Sequence, residues 1–334
     1  MGRIPFSTTT ALMAAAAMLV IAIGAGAAVG VIARPTPTPV PTPAIRATAT
    51  PEPDTGLLVF QQPLVSGCAT DDAVYVVSNG GGIGRFDGQR WQLIDSTLRS
   101  LVDAVCATDT VVAVGPSGRI LTIDDRARTI RADDVGFNDF YGVSLLPDGA
   151  LAVGSQGTVQ RQTSVGWQPY AQGIEEDLFA VVGFSGTSAW AVGSSGASYR
   201  LEAAGWRPLA TGTSVTLRTV AGASPTDAIA AGDNGVLLRF DGRWKPLESG
   251  VESALRASIR VDVVTYVVGD HGVALAVEGA TVSRIDLGTT CAVRGVFARA
   301  NEVWFVGSEG THAGVWRFTR HTSTGGVLDR WGTC

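Results

Sequence analysis

Three arginines, Arg218, Arg256 and Arg294, recur at a constant step of 38. The series continues towards the N-terminus through Phe179, Tyr141, Asp103 and Val65, at steps of 39, 38, 38 and 38. Guanidinium groups brought together grip carboxylate or phosphate through paired hydrogen bonds, and aromatic rings beside them add apolar contact. The series therefore reads as a ring of seven side chains in which three arginines form a cationic arc faced by Asp103, Tyr141 and Phe179. A plainer use is open to the same arginines: each packs its stem on a strand and pairs with a loop acid, because residues repeated at one position often serve the repeat itself. His271 stands beside Asp270, a pairing that can make a base or a metal ligand. The same place elsewhere holds Ser117, Gln156, Ser195, Asn234 and Glu309, a variety that suits a turn residue. His312 and His321 have no second ligand at metal spacing. Asp133-Asp134 and Glu175-Glu176-Asp177 are expected in solvated loops, without calcium-loop spacing. No G-x-S-x-G, H-E-x-x-H, C-x-x-C or P-loop occurs. No catalytic group, metal site or cofactor is expected.

Such a series needs a repeated element to position it, and the chain contains one. Six apolar runs end in a G-x-x-G turn: VAVGPSG, LAVGSQG, WAVGSSG, IAAGDNG, YVVGDHG and WFVGSEG. Their first glycines are Gly115, Gly154, Gly193, Gly232, Gly269 and Gly307, and an earlier copy, YVVSNGG, has Ser78 in that place. The successive steps are 37, 39, 39, 39, 37 and 38. Each unit reads as four short strands, with a D-G hairpin in FDGQRW and FDGRW and a Trp opening the fourth strand in four units, at Trp91, Trp167, Trp206 and Trp244. Seven such units predict an all-β, seven-bladed β-propeller of four-stranded blades. The composition agrees: 42 glycines in 334 residues disfavour long helices, and 46% hydrophobic residues with 16% charged ones exclude a disordered chain. A net charge of −5, with Lys245 the one lysine, leaves no basic field for nucleic acid.

The units resemble the bacterial propeller repeats written A-V-G-x-x-G-x-x-x-R-x-D-G-x-x-W. These are related to BNR/Asp-box repeats and to propellers of the photosystem II assembly-factor type. The resemblance covers about residues 57–334 and is best in units one, four and five. Units two and six lack the Trp, and unit seven carries THAG after its turn. It implies a binding or assembly module that engages a protein partner, or an anionic or glycan ligand, at one mouth of the central channel. A sialidase-like glycoside hydrolase is the enzymatic alternative, since that family grips a carboxylate with three arginines and uses Tyr, Glu and Asp. Several departures oppose it. Sialidases have six blades, FDGRW lacks the Ser of S-x-D-x-G-x-x-W, Arg-Ile-Pro occurs only at Arg3-Ile4-Pro5, and no Glu accompanies Tyr141. A purely structural envelope protein is a third reading.

Four cysteines allow three pairings. Cys68 and Cys106 lie in neighbouring units, while Cys291 enters the last unit and Cys334 ends the chain. The step from Cys68 to Cys106 equals that between the arginines, which gives the two cysteines the same apparent place in their units. The expected bridges are Cys68–Cys106 and Cys291–Cys334, with two buried thiols as the alternative for the first pair. Either Leu57–Gln61 or Val327–Trp331 supplies the outer strand of the last blade.

Residues 1–34 contain a 23-residue apolar run, Ala11 to Ala33, flanked by Arg3 and Arg34. It serves as a membrane anchor, or as a signal peptide cut near Ala25-Gly26-Ala27. Residues 35–56 form a Pro/Thr-rich linker with seven prolines between Pro35 and Pro53, extended at about 3.1 Å per residue. The expectation is a monomeric propeller, residues 57–334, outside the cytoplasm at a bacterial cell envelope. It would be tethered through the N-terminal segment, or secreted if that segment is cleaved.

Overall fold

The computed structural model describes residues 62–96, 99–171, 173–322 and 325–334; the apolar segment, the linker and Leu57–Gln61 fall outside them. Among the described residues, 28 strands, β1 to β28 in chain order, form seven antiparallel sheets of four consecutive strands each. The innermost strands are β1 (Leu64–Ala69), β5 (Asp103–Cys106), β9 (Phe140–Leu146), β13 (Leu178–Ser185), β17 (Leu217–Ser224), β21 (Leu255–Val261) and β25 (Ala292–Arg299). The seven-bladed propeller expected from the repeat is therefore present. Among the described residues no helix is long and apolar enough to cross a membrane.

The second strand of each blade is covered on both faces by neighbouring blades, so its sequence is a continuous apolar run rather than an alternating one. Val74–Ser78 is buried at all five positions and Val264–Gly269 at all six. Seven apolar cores result, one in each gap between blades, including the gap between the last and the first.

The G-x-x-G turns have two separate causes. At Gly193 the backbone is extended, but a Cβ would stand 2.0 Å from the Asp177 carbonyl oxygen at the entry to β13. At Gly196, φ is 72° and a Cβ would also meet the Thr213 carbonyl at 2.0 Å. Only glycine satisfies both conditions there.

Blade seven consists of β25, β26 (Glu302–Glu309), β27 (His312–Thr322) and β28 (Gly325–Gly332). Val327–Trp331 thus supplies its outer strand. Because every blade is sequential, no sheet hydrogen bonds join the two ends of the described chain. Side-chain packing closes the ring instead. Trp304 and Trp331 stack at 5.5 Å, Phe297 stacks on Trp304 at 6.2 Å, and Phe86 from blade one touches both tryptophans at 6.0 and 5.7 Å. The Cys291–Cys334 disulfide ties the end of the chain to the entry of blade seven.

The Cys68–Cys106 bridge also forms, with the Cα atoms 5.4 Å apart. The two cysteines are not at the same place in their blades. Ser66 and Asp103 are equivalent, pairing with Val77 and Val114, so Cys68 lies two residues beyond that point and Cys106 three. Neighbouring blades stack in the same sense, and side chains alternate along a strand. Two residues one place apart in neighbouring blades therefore turn to the two facing sides of the gap. Blades one and two are offset by 37, so a cysteine separation of 38 makes such a pair.

Candidate functional site

The inner strands surround a central channel of about 720 Å³. Val65, Tyr141, Phe179, Arg218, Arg256 and Arg294 all line it near one mouth, as the spacing required. A common device aims them. In each of these six blades the inner strand bulges at that residue, so Leu217 pairs with Gly232 and Thr219 with Ala231 while Arg218 is left out of the ladder. A residue extruded by a bulge turns away from the pleat, here into the channel.

Blade two differs from the series. Leu101 approaches Gly115 as Leu178 approaches Gly193, which places Val102 in the ring. Asp103 stands one residue deeper, where other blades have Ser66, Gly142, Ala180, Thr219, Ala257 and Gly295. The uniform step through Asp103 conceals steps of 37 and 39, the same two that separate Ser78, Gly115 and Gly154.

At its deeper place Asp103 points to blade three and bridges three blades. Its Oδ2 accepts from the Val143 backbone N–H at 3.0 Å, and its Oδ1 from Ser66 Oγ at 2.8 Å and the Ala104 N–H at 2.9 Å. Burial pushes its pKa up to about 6 against those three donors. A carboxyl raised in this way binds more protons in the folded than in the unfolded state. Its stabilising contribution is complete below about pH 4 and is lost as pH rises through about 6. Asp103→Ser is therefore expected to flatten the stability–pH profile between about pH 4 and 6 in urea titrations; an unchanged profile would refute the assignment.

Around the mouth the side chains form a chain of contacts. The Tyr141 and Phe179 rings lie 5.3 Å apart, and the Arg218 guanidinium sits 5.3 Å over Phe179. Arg218 forks onto Asp233 through Nε at 2.5 Å and Nη2 at 2.8 Å. Arg256 does the same with Asp270, at 3.1 and 2.6 Å. Burial tends to raise the Asp270 pKa, but hydrogen bonding and charge from Arg256, with help from Arg294 and His271, hold it below the usual range. Two of the three arginines thus take the plainer role of pairing with a loop acid. Arg294 is exposed, and among the described residues it has no hydrogen-bonded or ion-paired partner. Burial, and then the charges of Asp139 and Asp177, raise the Tyr141 pKa, which disfavours its phenolate.

His271 occupies the left-handed place of its turn, φ 58°, as do Ser117, Gln156, Ser195 and Asn234 at 53–57°. Its Nδ1 lies 3.2 Å from Ser253 Oγ, an arrangement that fits the turn role. No metal-holding group of three or more His, Cys, Asp or Glu occurs among the described residues. The acid runs are more engaged than expected. Asp133-Asp134 end strand β8 (Thr129–Asp134), with Asp134 paired to Arg99, and Glu176 accepts from Tyr199 OH at 2.6 Å.

Two features have no counterpart among the sequence-based expectations. Phe137, in the loop entering blade three on the mouth side, is 96% exposed. A buried network joins blades one and two: Arg85 Nε and Tyr75 OH reach Asp125 Oδ1 at 2.9 and 2.7 Å, and Thr70 Oγ1 reaches Oδ2 at 2.9 Å. Neither carries a local signal, since one depends on a loop path and the other on which blades adjoin.

No protein-family model matches the chain, and no curated protein does. Many solved structures share its architecture. One of them, the crystal structure of the RRP9 WD40 repeats, superposes with a TM-score of 0.61 at 9% identity, covering 77% of this chain and 93% of that one. At that identity the likeness concerns the fold alone, and it places the chain among β-propellers.

Proposed function

We propose that the protein is a non-catalytic binding or assembly propeller, of the BNR-like bacterial kind, that engages a protein partner outside the cytoplasm. The observation that carries this reading is the mouth itself. Bulges in five blades direct an aromatic half (Tyr141, Phe179) and a guanidinium half (Arg218, Arg256, Arg294) into one opening. Aromatic and arginine side chains at a concave opening are the residue types that dominate recognition surfaces. Propellers commonly act as interaction scaffolds, which agrees with this use.

Two disulfides support an oxidising compartment. Tethering by Ala11–Ala33 is part of the same proposal. The hydrolase alternative finds little chemical support, because the Tyr141 phenol is raised, Asp103 is held by three donors, and two of the arginines are neutralised by Asp233 and Asp270.

The test compares full-length wild type with a Tyr141→Ala/Arg294→Ala variant in affinity recovery from envelope extracts. Val263→Ser, at the opposite end of the channel, serves as the control. The mouth variant should lose at least tenfold of a partner that the control retains, and none of the three proteins should release sialic acid from a sialoside. Identical recovery by all three proteins, or turnover abolished by Tyr141→Ala, would overturn the reading.

A further inference from the structure

The ring arginines and the turn acids follow a pairing rule. In blades five and six the residue after the first glycine of the G-x-x-G turn, the anchor glycine of the blade, is an acid, Asp233 or Asp270, and the ring residue of the same blade is the arginine that forks onto it. In blades one to four that residue is Asn79, Pro116, Ser155 or Ser194, and the ring residue is Val65, Val102, Tyr141 or Phe179. Blade seven breaks the rule. It keeps Arg294 but has Ser308 after Gly307. Ser308 keeps the pairing to the inner strand, facing Ala292 as Asp233 N–H bonds to the Thr216 carbonyl, but the chain runs on differently: Ser308 and Glu309 continue β26 and pair with Ala313 and His312, where Asp233 opens a tight turn. Ser308 is 4% exposed and turns its hydroxyl to the Leu64 carbonyl at 3.4 Å, leaving Arg294 without an acid of its own.

We infer that Arg294 is a carboxylate-binding site, and that an acidic group of the partner polypeptide takes the place that Asp233 and Asp270 occupy in the two preceding blades. This rests on the proposed binding role of the mouth and names the group recognised there. A carboxylate fits better than a phosphate. Arg294 offers one positive charge that no acid of its own blade neutralises, which suits a monoanion, while a dianion would be opposed more strongly by Asp270, whose pKa Arg294 helps to lower, and by Asp139 and Asp177 beside Tyr141. A polypeptide source is favoured because Tyr141, Phe179 and the exposed Phe137 lie on the same face, and the channel walls below are aliphatic (Val143, Val181, Val220, Val296).

The probes are N-acetyl-phenylalanine and its neutral amide, titrated into the full-length chain while the backbone N–H resonances of Val293 and Gly295, which flank position 294, are followed by NMR. Wild type should bind the carboxylate at least tenfold more tightly than the amide. Ser308→Asp, which supplies the missing acid internally, should abolish that preference, and so should Arg294→Gln. Ser308→Asn, matched in size but uncharged, should retain it. If Ser308→Asp fails to fold, Arg294→Gln at its exposed position gives the same reading. Equal binding of the two probes, no binding by either, or a preference that survives Arg294→Gln would each overturn the inference. The outcome is independent of partner recovery: a carboxylate preference without a partner would sink the binding role alone, and a partner without that preference would sink the Arg294 site alone.

Discussion

Asp125→Ala is expected to destabilise the folded protein by about 3–5 kcal/mol, the cost of leaving a buried charge without its partner. Arg85 and Asp125 are 5% and 4% exposed, and Thr70 and Tyr75 complete the shell around the carboxylate. Burial alone would raise the Asp125 pKa, but the bonds from Arg85, Tyr75 and Thr70 outweigh it and hold the group ionised. Burial, reinforced by Asp125, pushes Tyr75 up to about 12. Loss of the carboxylate strands the Arg85 guanidinium between two blades. Arg128, 3.6 Å away and largely exposed, pairs with the same carboxylate and so loses its partner too. Urea unfolding measures the effect. An Arg85→Met/Asp125→Leu double variant should recover most of the loss, because apolar residues of similar volume remove both charges together. A loss below about 1 kcal/mol in Asp125→Ala would show that water reaches and solvates Arg85.

Trp331→Ala is expected to cost about 3–5 kcal/mol and to open the ring at one defined place. Trp331 is 3% exposed, stacks on Trp304, touches Phe86 of blade one and lies under the Arg317 guanidinium at 5.1 Å. No strand exchange backs up this seam among the described residues, so removing the indole exposes the faces of blades one and seven together. Hydrogen exchange should rise first in β1 and β25 to β28, since sub-global opening follows the least-supported boundary. Replacing Cys291 and Cys334 by Ser should cost about 2–4 kcal/mol separately. Combined with Trp331→Ala, the losses should not add, because both changes release the C-terminal strand. Exchange that rises equally in all seven blades would argue against a weak seam.

The local parts of this molecule are legible in its sequence. The anchor glycines count the blades because a short turn packed tightly on another backbone admits no Cβ, and that constraint stays local in sequence. The ring is legible in six blades for a related reason: the same bulge recurs 13 or 14 residues before each anchor. Blade two departs by one residue from the reading that a uniform step suggests, since such a step fits Asp103 where Val102 stands. The anchor steps of 37 and 39 on either side of Gly115 carry that shift.

The sequence by itself determined the number of blades, their internal turns and the types of side chain at the mouth. Tertiary structure alone decided that Arg218 and Arg256 are paired while Arg294 is not, that Asp103 bridges three blades, and that aromatic packing with a disulfide closes the ring. The physical reason is one of range. Backbone sterics and strand alternation act over a few residues and repeat with the chain. Contacts across a gap depend on odd or even register between sheets a whole repeat apart, and at the seam on elements from opposite ends of the propeller.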